Sequence, residues 1–228
     1  MAPSLSILYE DNHLLVIDKP AGLPTMGAAH GRPTAVEAAR RYIKRKYDKP
    51  GNVYIGVVSR LDAPATGVLL LARTSKAAAR LNEQFKSGTV EKTYWALVTG
   101  SPQFPLGELS DYLLKDERAE RMRVVADDQH GAKRAVLRYR QLSAALHGVS
   151  LLEIQLLTGR KHQIRVQLAS RGFPILGDSK YGSTDSFPVG IALHARRLVV
   201  EHPTKRSRLE FISPLPVHWR RWVTEEPA

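Results

Sequence analysis

The run Val68-Leu69-Leu70-Leu71-Ala72 is short and wholly apolar. It suits a buried strand and is far below the roughly 18–20 apolar residues that cross a bilayer. Strand candidates surround it in the sequence. Residues 6–18 (SILYEDNHLLVID) read as two short strands around a turn at Asp11-Asn12, and Lys19-Pro20-Ala21-Gly22 reads as a turn or loop. Residues 53–58, 92–99, 121–126, 133–142, 149–157, 191–200 and 207–212 are further strand candidates. Helices are expected over 34–47, where Thr34 and Glu37 have capping-box spacing and Val36, Ala39 and Ile43 form an apolar stripe. A second is expected over 75–86, stopped by Gly88, and a short third over 162–171, ended by Gly172. Residues 174–181 read as a loop. Strands and helices mix without strict alternation, which argues for an α+β fold rather than a doubly wound sheet. No internal repeat or Gly/Ser linker divides the chain. The expectation is one domain over 1–228, with 102–135 an inserted hairpin or arm.

Charge carries the first functional information. Lys and Arg total 34 against 22 Asp and Glu, a net charge of +12 with a pI near 10.1. Such a chain attracts polyanions and releases their counterions on binding. The bases cluster at 32–49, Arg118/Arg121/Arg123, Lys133/Arg134/Arg138/Arg140, Arg160/Lys161/Arg165, Arg196/Arg197, Lys205/Arg206/Arg208 and Arg220/Arg221. Together they favour a nucleic-acid partner. A membrane surface is disfavoured, because no long basic amphipathic helix stands apart from the core pattern. The chain has no cysteine, which removes disulfides, thiol nucleophiles and thiolate metal sites, and a cytoplasmic location is expected. Residues 1–9 lack the pattern of a secretory signal.

Standard chemical motifs are missing. There is no P-loop, no G-x-G-x-x-G after a strand and no H-E-x-x-H. The eight histidines do not pair at ligand spacing, so no metal is expected. The segment Gly177-Asp178-Ser179-Lys180-Tyr181-Gly182 has the wrong spacing for a nucleophile elbow. Two features are left. Asp62 is a lone carboxylate behind Arg60 in a loop between apolar strands. Residues 158–165 (TGRKHQIR) form a dense polar, basic run after an apolar strand. From the residues alone, Asp62 reads as a turn-forming or capping aspartate before it reads as a catalytic one. The run 158–165 reads, from the residues alone, as a helix N-terminus with an anion-friendly surface.

Four segments in order resemble the RluA-type family of RNA pseudouridine synthases. They are 7–25 (ILYEDNHLLVIDKPAGLPT), 59–72 (SRLDAPATGVLLLA), 91–100 (EKTYWALVTG) and 156–181 (LLTGRKHQIRVQLASRGFPILGDSKY). The resemblance spans about residues 6–215. It implies a mixed, largely antiparallel central sheet with flanking helices and loops, and a catalytic cleft across that sheet. It also implies conversion of uridine to pseudouridine in ribosomal or transfer RNA. The resemblance starts at residue 6, so a catalytic portion is expected without the S4 RNA-binding domain of some relatives. Ser59 stands where the family usually has His, and Ala65-Thr66 where it has Thr-Ser. These departures touch the target RNA rather than the nucleophile. They also motivate the alternative of a non-catalytic RNA-binding or ribosome-assembly protein of the same fold.

By the resemblance, Asp62 is the nucleophile, a role a carboxylate suits at an electron-poor sugar or ring carbon. Arg165 matches the family position that pairs with it and keeps it ionised. Tyr94 matches the tyrosine that lies on the flipped uracil, and a half-buried strand tyrosine is its plain alternative. Arg60 matches the arginine that fills the space left by the extruded base. Lys19 and Lys92 are expected as loop or phosphate contacts, Arg160 as an RNA contact, and His162 as a residue that orients the Arg165 segment. The basic helix 34–47 and the arm 115–140 are the expected RNA contacts beyond the pocket. No metal, nucleotide or redox cofactor is called for, and the protein is expected to be a monomer.

Overall fold

The computed structural model describes residues 5–27, 31–146 and 148–223, excepting the side chains of 144–146. In chain order the elements are β1 (Ser6–Glu10), β2 (Leu14–Lys19), α1 (Ala35–Lys46), β3 (Gly56–Val57), β4 (Thr66–Ala72), α2 (Ser75–Ser87) and β5 (Glu91–Thr99). They continue with β6 (Leu106–Asp116), β7 (Arg121–Val125), β8 (Lys133–Leu146), β9 (Val149–Leu156), α3 (Gln163–Ala169), β10 (Leu193–Glu201) and β11 (Arg208–Ile212). Single 3-10 turns lie at Ser179–Tyr181 and Val217–Trp219. The class is α+β, as expected. Cα packing resolves two compact units within 1–228, one of residues 1–91 and 195–215, the other of residues 92–194 and 216–228.

In the first unit, Asp11 makes the expected turn. Its Oδ1 accepts the N–H groups of His13 and Leu14 at 2.7 Å each, and β1 folds back antiparallel on β2. β2 pairs antiparallel with β4, from Leu14 opposite Ala72 to Lys19 opposite Gly67. Leu14 to Ile17 and Leu70 to Ala72 have no exposed surface. Both strands are covered on both faces, which is why they read as continuous apolar runs rather than as alternation. One of those faces joins Leu14, Val16, Leu70 and Ala72 to Ala77 and Leu81 of α2 and to Phe211 of β11. β10 and β11 pair antiparallel.

The two helices of this unit follow their caps. Thr34 Oγ1 accepts the Glu37 N–H at 3.2 Å, and Glu37 returns its carboxylate to the Thr34 N–H at 2.9 Å. Such caps are worth about 1 kcal/mol. Val36, Ala39 and Ile43 are buried on α1, as their spacing predicts. α2 ends at Gly88, whose φ of 78° is the left-handed cap conformation. The strand expected over 53–58 shrinks to Gly56 and Val57, which reach only Ala72 and Leu71 at the end of β4.

The second unit orders its strands β5-β9-β8-β6-β7, every pair antiparallel. Part of the segment expected as an arm is the eleven-residue strand β6, which pairs with both β7 and β8. Gly107, Glu108, Asp111, Lys115 and Asp116 break up its apolar pattern, and only long-range pairing makes it a strand. Leu113, Ala135, Val166 and Tyr181 form a buried cluster between the sheet and α3. The third helix is shorter than the expected 162–171, covering Gln163–Ala169, because His162 takes a left-handed φ of 53° at its N-cap.

Candidate active site

In the first unit, two loops place Asp62. Its neighbours on either side are pinned by hydrogen bonds to the 19–25 segment. Thr25 Oγ1 donates to the Leu61 carbonyl at 2.8 Å and accepts the Leu61 N–H at 3.1 Å. Lys19 Nζ donates to the carbonyls of Pro20 at 2.7 Å, Leu23 at 2.9 Å and Ala63 at 3.2 Å. The Gly22 N–H also donates to the Ala63 carbonyl, at 2.8 Å. A turn closes with the Ala65 N–H donating to the Asp62 carbonyl at 3.1 Å. The half-buried Asp62 thus sits on a backbone held immediately before and after it. The turn holds the backbone on which the Asp62 side chain is carried.

Lys19 is the strut of this arrangement. Its side chain is fully buried and its three N–H groups go to three carbonyls, which makes it a loop contact with no surface left for a phosphate. Burial pushes its ammonium down to about 7, against the opposing fields of Asp62 and Asp18. Asp18 is itself pushed up by burial, opposed by the Ser213 hydroxyl that donates to it at 2.8 Å and by the Lys19 charge. Arg60 is exposed and Ser59 half-buried, while Ala65 and Thr66 are buried. Gly67 ends the loop at φ +110°, and a Cβ there would collide with the backbone of Ala195. That close approach requires glycine.

In the second unit, Arg165 projects from α3 and is 5% exposed. Its Nε and Nη2 donate to Asp178 Oδ2 and Oδ1 at 2.7 and 2.8 Å, a bidentate fork. The guanidinium lies 5.0 Å from the centre of the Tyr181 ring. The Tyr181 hydroxyl meets His162 Nδ1 at 2.8 Å and accepts the Met122 N–H at 2.9 Å. His162 and Arg165 therefore both contact Tyr181. Thr158 and Gln163 tie the preceding turn. The Thr158 hydroxyl donates to Gln163 Oε1 at 2.8 Å, and the same oxygen accepts the Arg160 N–H at 3.0 Å. Arg160 is exposed, with Nε donating to the Arg134 carbonyl at 2.9 Å. Lys92 is half-buried, its pKa pushed down by that burial, and its Nζ lies close to Gly159. Tyr94 is half-buried on β5 opposite Ile154 of β9.

Thr25, Asp178 and Tyr181 are absent from the residues expected to carry function. Asp178 and Tyr181 lie inside the segment 156–181 that carries the resemblance, which was the available signal. Thr25 had only its place at the end of the first segment. Among the described residues, no group of three or more His, Asp or Glu gathers at a metal-sized site, and no helix is long and apolar enough to cross a membrane.

These features can be set beside known proteins. A family profile described as RNA pseudouridylate synthase matches residues 13–170. An uncharacterised RNA pseudouridine synthase of Synechocystis is 35% identical over 221 residues, covering 95% of this chain and 67% of its own. The ribosomal large subunit pseudouridine synthase D of Zymomonas mobilis is 34% identical over 224 residues, covering 93% of this chain and 69% of its own. The solved structure of human RNA pseudouridylate synthase domain containing 4 superposes with a TM-score of 0.80 at 28% identity. It covers 98% of this chain and 95% of its own. The chain therefore belongs to the RNA pseudouridylate synthase family, isomerases that act on RNA.

Proposed function

We propose that this protein isomerises specific uridines of ribosomal or transfer RNA, with Asp62 as the nucleophile. The observation that carries the reading is the pinned turn. Leu61 and Ala63 are both held by the 19–25 segment, so the backbone that carries the carboxylate between them is set before substrate arrives. A pre-placed carboxylate costs no reorganisation when charge develops at the sugar or ring carbon. The reaction breaks the bond between the sugar and uracil N1, rotates the base and joins the sugar to C5. The C5 hydrogen leaves to solvent and N1 gains a proton, so no oxidant or reductant is consumed. Arg60, exposed next to Asp62 in the chain, supplies a planar cation for the space vacated by the base. Tyr94 offers a ring to stack on uracil and a hydroxyl to help remove a sugar proton. Arg165 is assigned by the resemblance to keep the carboxylate ionised, and its own geometry is set by Asp178.

The name of the Zymomonas relative supports large-subunit ribosomal RNA as the first substrate to try. On this reading the protein works in the cytoplasm as a monomer, without metal or cofactor. The test uses ribosomal and transfer RNA carrying tritium at uracil C5. Tritium release by the wild type and none by Asp62→Ala is expected. Equal release by both would show that another residue is the nucleophile. No release by either, with RNA binding and cellular function intact in Asp62→Ala, would establish the non-catalytic RNA-binding alternative.

A further inference from the structure

The basic residues of this chain are not equivalent. Several of them are matched by carboxylates. Arg138 meets Glu108 at 2.9 Å, Arg140 meets Glu153 at 3.1 Å, and Lys115 meets Glu117. Arg208 and Arg197 meet Glu91 at 3.0 and 2.9 Å, and Arg171 meets Asp111 at 2.8 Å. Segment 115–140 as a whole holds eight bases and five acids. Segment 32–49 holds seven bases and two acids. Of those two, Glu37 is spent on the N-cap of α1, and Asp48 lies past its C-terminus. Arg40, Arg41, Lys44 and Arg45 are all exposed, and among the described residues none of the four is in an ion pair.

Their placement on the helix is ordered. At 100° per residue, 40, 41, 44 and 45 fall within an arc of roughly 140°, in two rows with about 6 Å between successive side chains. The opposite arc carries Val36, Ala39 and Ile43, which are buried. Four cations carried on one helix need no backbone ordering to meet a row of anions, and each phosphate contact releases a counterion. The buried apolar arc also argues against a lipid surface. A helix that lies on a membrane needs its apolar face for the acyl region, and here that face is already used.

We propose that the Arg40/Arg41/Lys44/Arg45 face of α1 is a docking surface for the sugar–phosphate backbone of the substrate RNA. It contributes affinity without reading sequence. The inference rests on the reading of the protein as an RNA-modifying enzyme, and it concerns α1 rather than the arm 115–140, where acids are denser and Lys115, Arg138 and Arg140 already meet carboxylates.

The experiment measures binding of a fluorescein-labelled large-subunit ribosomal RNA transcript from about 50 to 300 mM salt. It compares wild type with a variant carrying Arg40→Gln, Arg41→Gln, Lys44→Gln and Arg45→Gln. A second variant removes the same charge from paired positions, with Lys115→Gln, Arg138→Gln, Arg140→Gln and Arg208→Gln. The α1 variant should bind at least about tenfold more weakly near 0.1 M salt, with its log–log salt slope shallower by about 3. The second variant should keep the wild-type slope. Equal losses in both, or no loss in the α1 variant, would overturn the proposal. So would an α1-dependent preference for phosphatidylserine vesicles over RNA. Tritium release separates this from the reaction itself. RNA binding through α1 without tritium release removes the proposed reaction and keeps the surface. Asp62-dependent release with normal binding by the α1 variant does the reverse.

Discussion

Arg165 and Asp178 meet through two parallel hydrogen bonds of 2.7 and 2.8 Å, and both side chains are buried. The fork fixes the guanidinium plane over the Tyr181 ring and anchors α3 to the 174–181 loop. Asp178→Ala removes both hydrogen bonds of the fork from a buried guanidinium, which costs about 2–3 kcal/mol. Asp178→Asn keeps one acceptor and should cost less. Urea denaturation gives the stabilities. Tritium release should fall in both variants, more in Asp178→Ala. Wild-type stability in Asp178→Ala would show that the fork adds nothing.

Thr25 acts on the Asp62 turn through its two hydrogen bonds to Leu61. Thr25→Val keeps the shape of the side chain and leaves a buried N–H and C=O unsatisfied, at a cost of about 2 kcal/mol. The turn loosens, and kcat should fall by roughly tenfold or more while KM changes little. Steady-state kinetics on modified and unmodified RNA check this, and a change confined to KM would refute it.

The Lys19 ammonium sits at about 7 in the folded protein and returns to 10.5 when the chain unfolds. Between those two values the unfolded chain binds the extra proton, so stability from this group rises with pH across that window. Below pH 7 both states are protonated, and the fold carries the whole cost of a buried charge. Wild type should therefore gain stability relative to Lys19→Met between pH 7 and pH 10, on the order of a few kcal/mol. Paired urea titrations at the two pH values measure it. A constant difference would mean that burial does not depress this group.

Gly67 occupies φ +110° against the Ala195 backbone. Gly67→Ala meets both a disfavoured conformation and a backbone that cannot move aside cheaply. A loss of about 3 kcal/mol or more is expected, read as a lower thermal midpoint or as insoluble protein. Gly88→Ala serves as the comparison, because its Cβ would meet nothing within 4 Å and only the φ of +78° opposes it.

Local chemistry was legible in the sequence wherever a few neighbouring residues decide the outcome. The capping box at Thr34 and Glu37, the stripe of Val36, Ala39 and Ile43, the Gly88 stop and the apolar run of β4 each depend on contacts within a turn or a strand. Asp62, Arg60, Tyr94 and Arg165 were reached through ordered segments that resemble one family, not through periodicity. β6 stayed hidden because its charged residues carry no strand pattern until β7 and β8 flank it.

From the sequence alone came the α+β class, the positive charge and the carboxylate to test. Tertiary structure alone decided which groups hold that carboxylate's turn and which hold Arg165. Lys19 reaches Ala63 across 44 residues, Thr25 reaches Leu61 across 36, and Met122 reaches Tyr181 across 59. The physical reason is that a hydrogen bond needs its partners within about 3 Å, and distant residues come that close only once the chain has closed its loops.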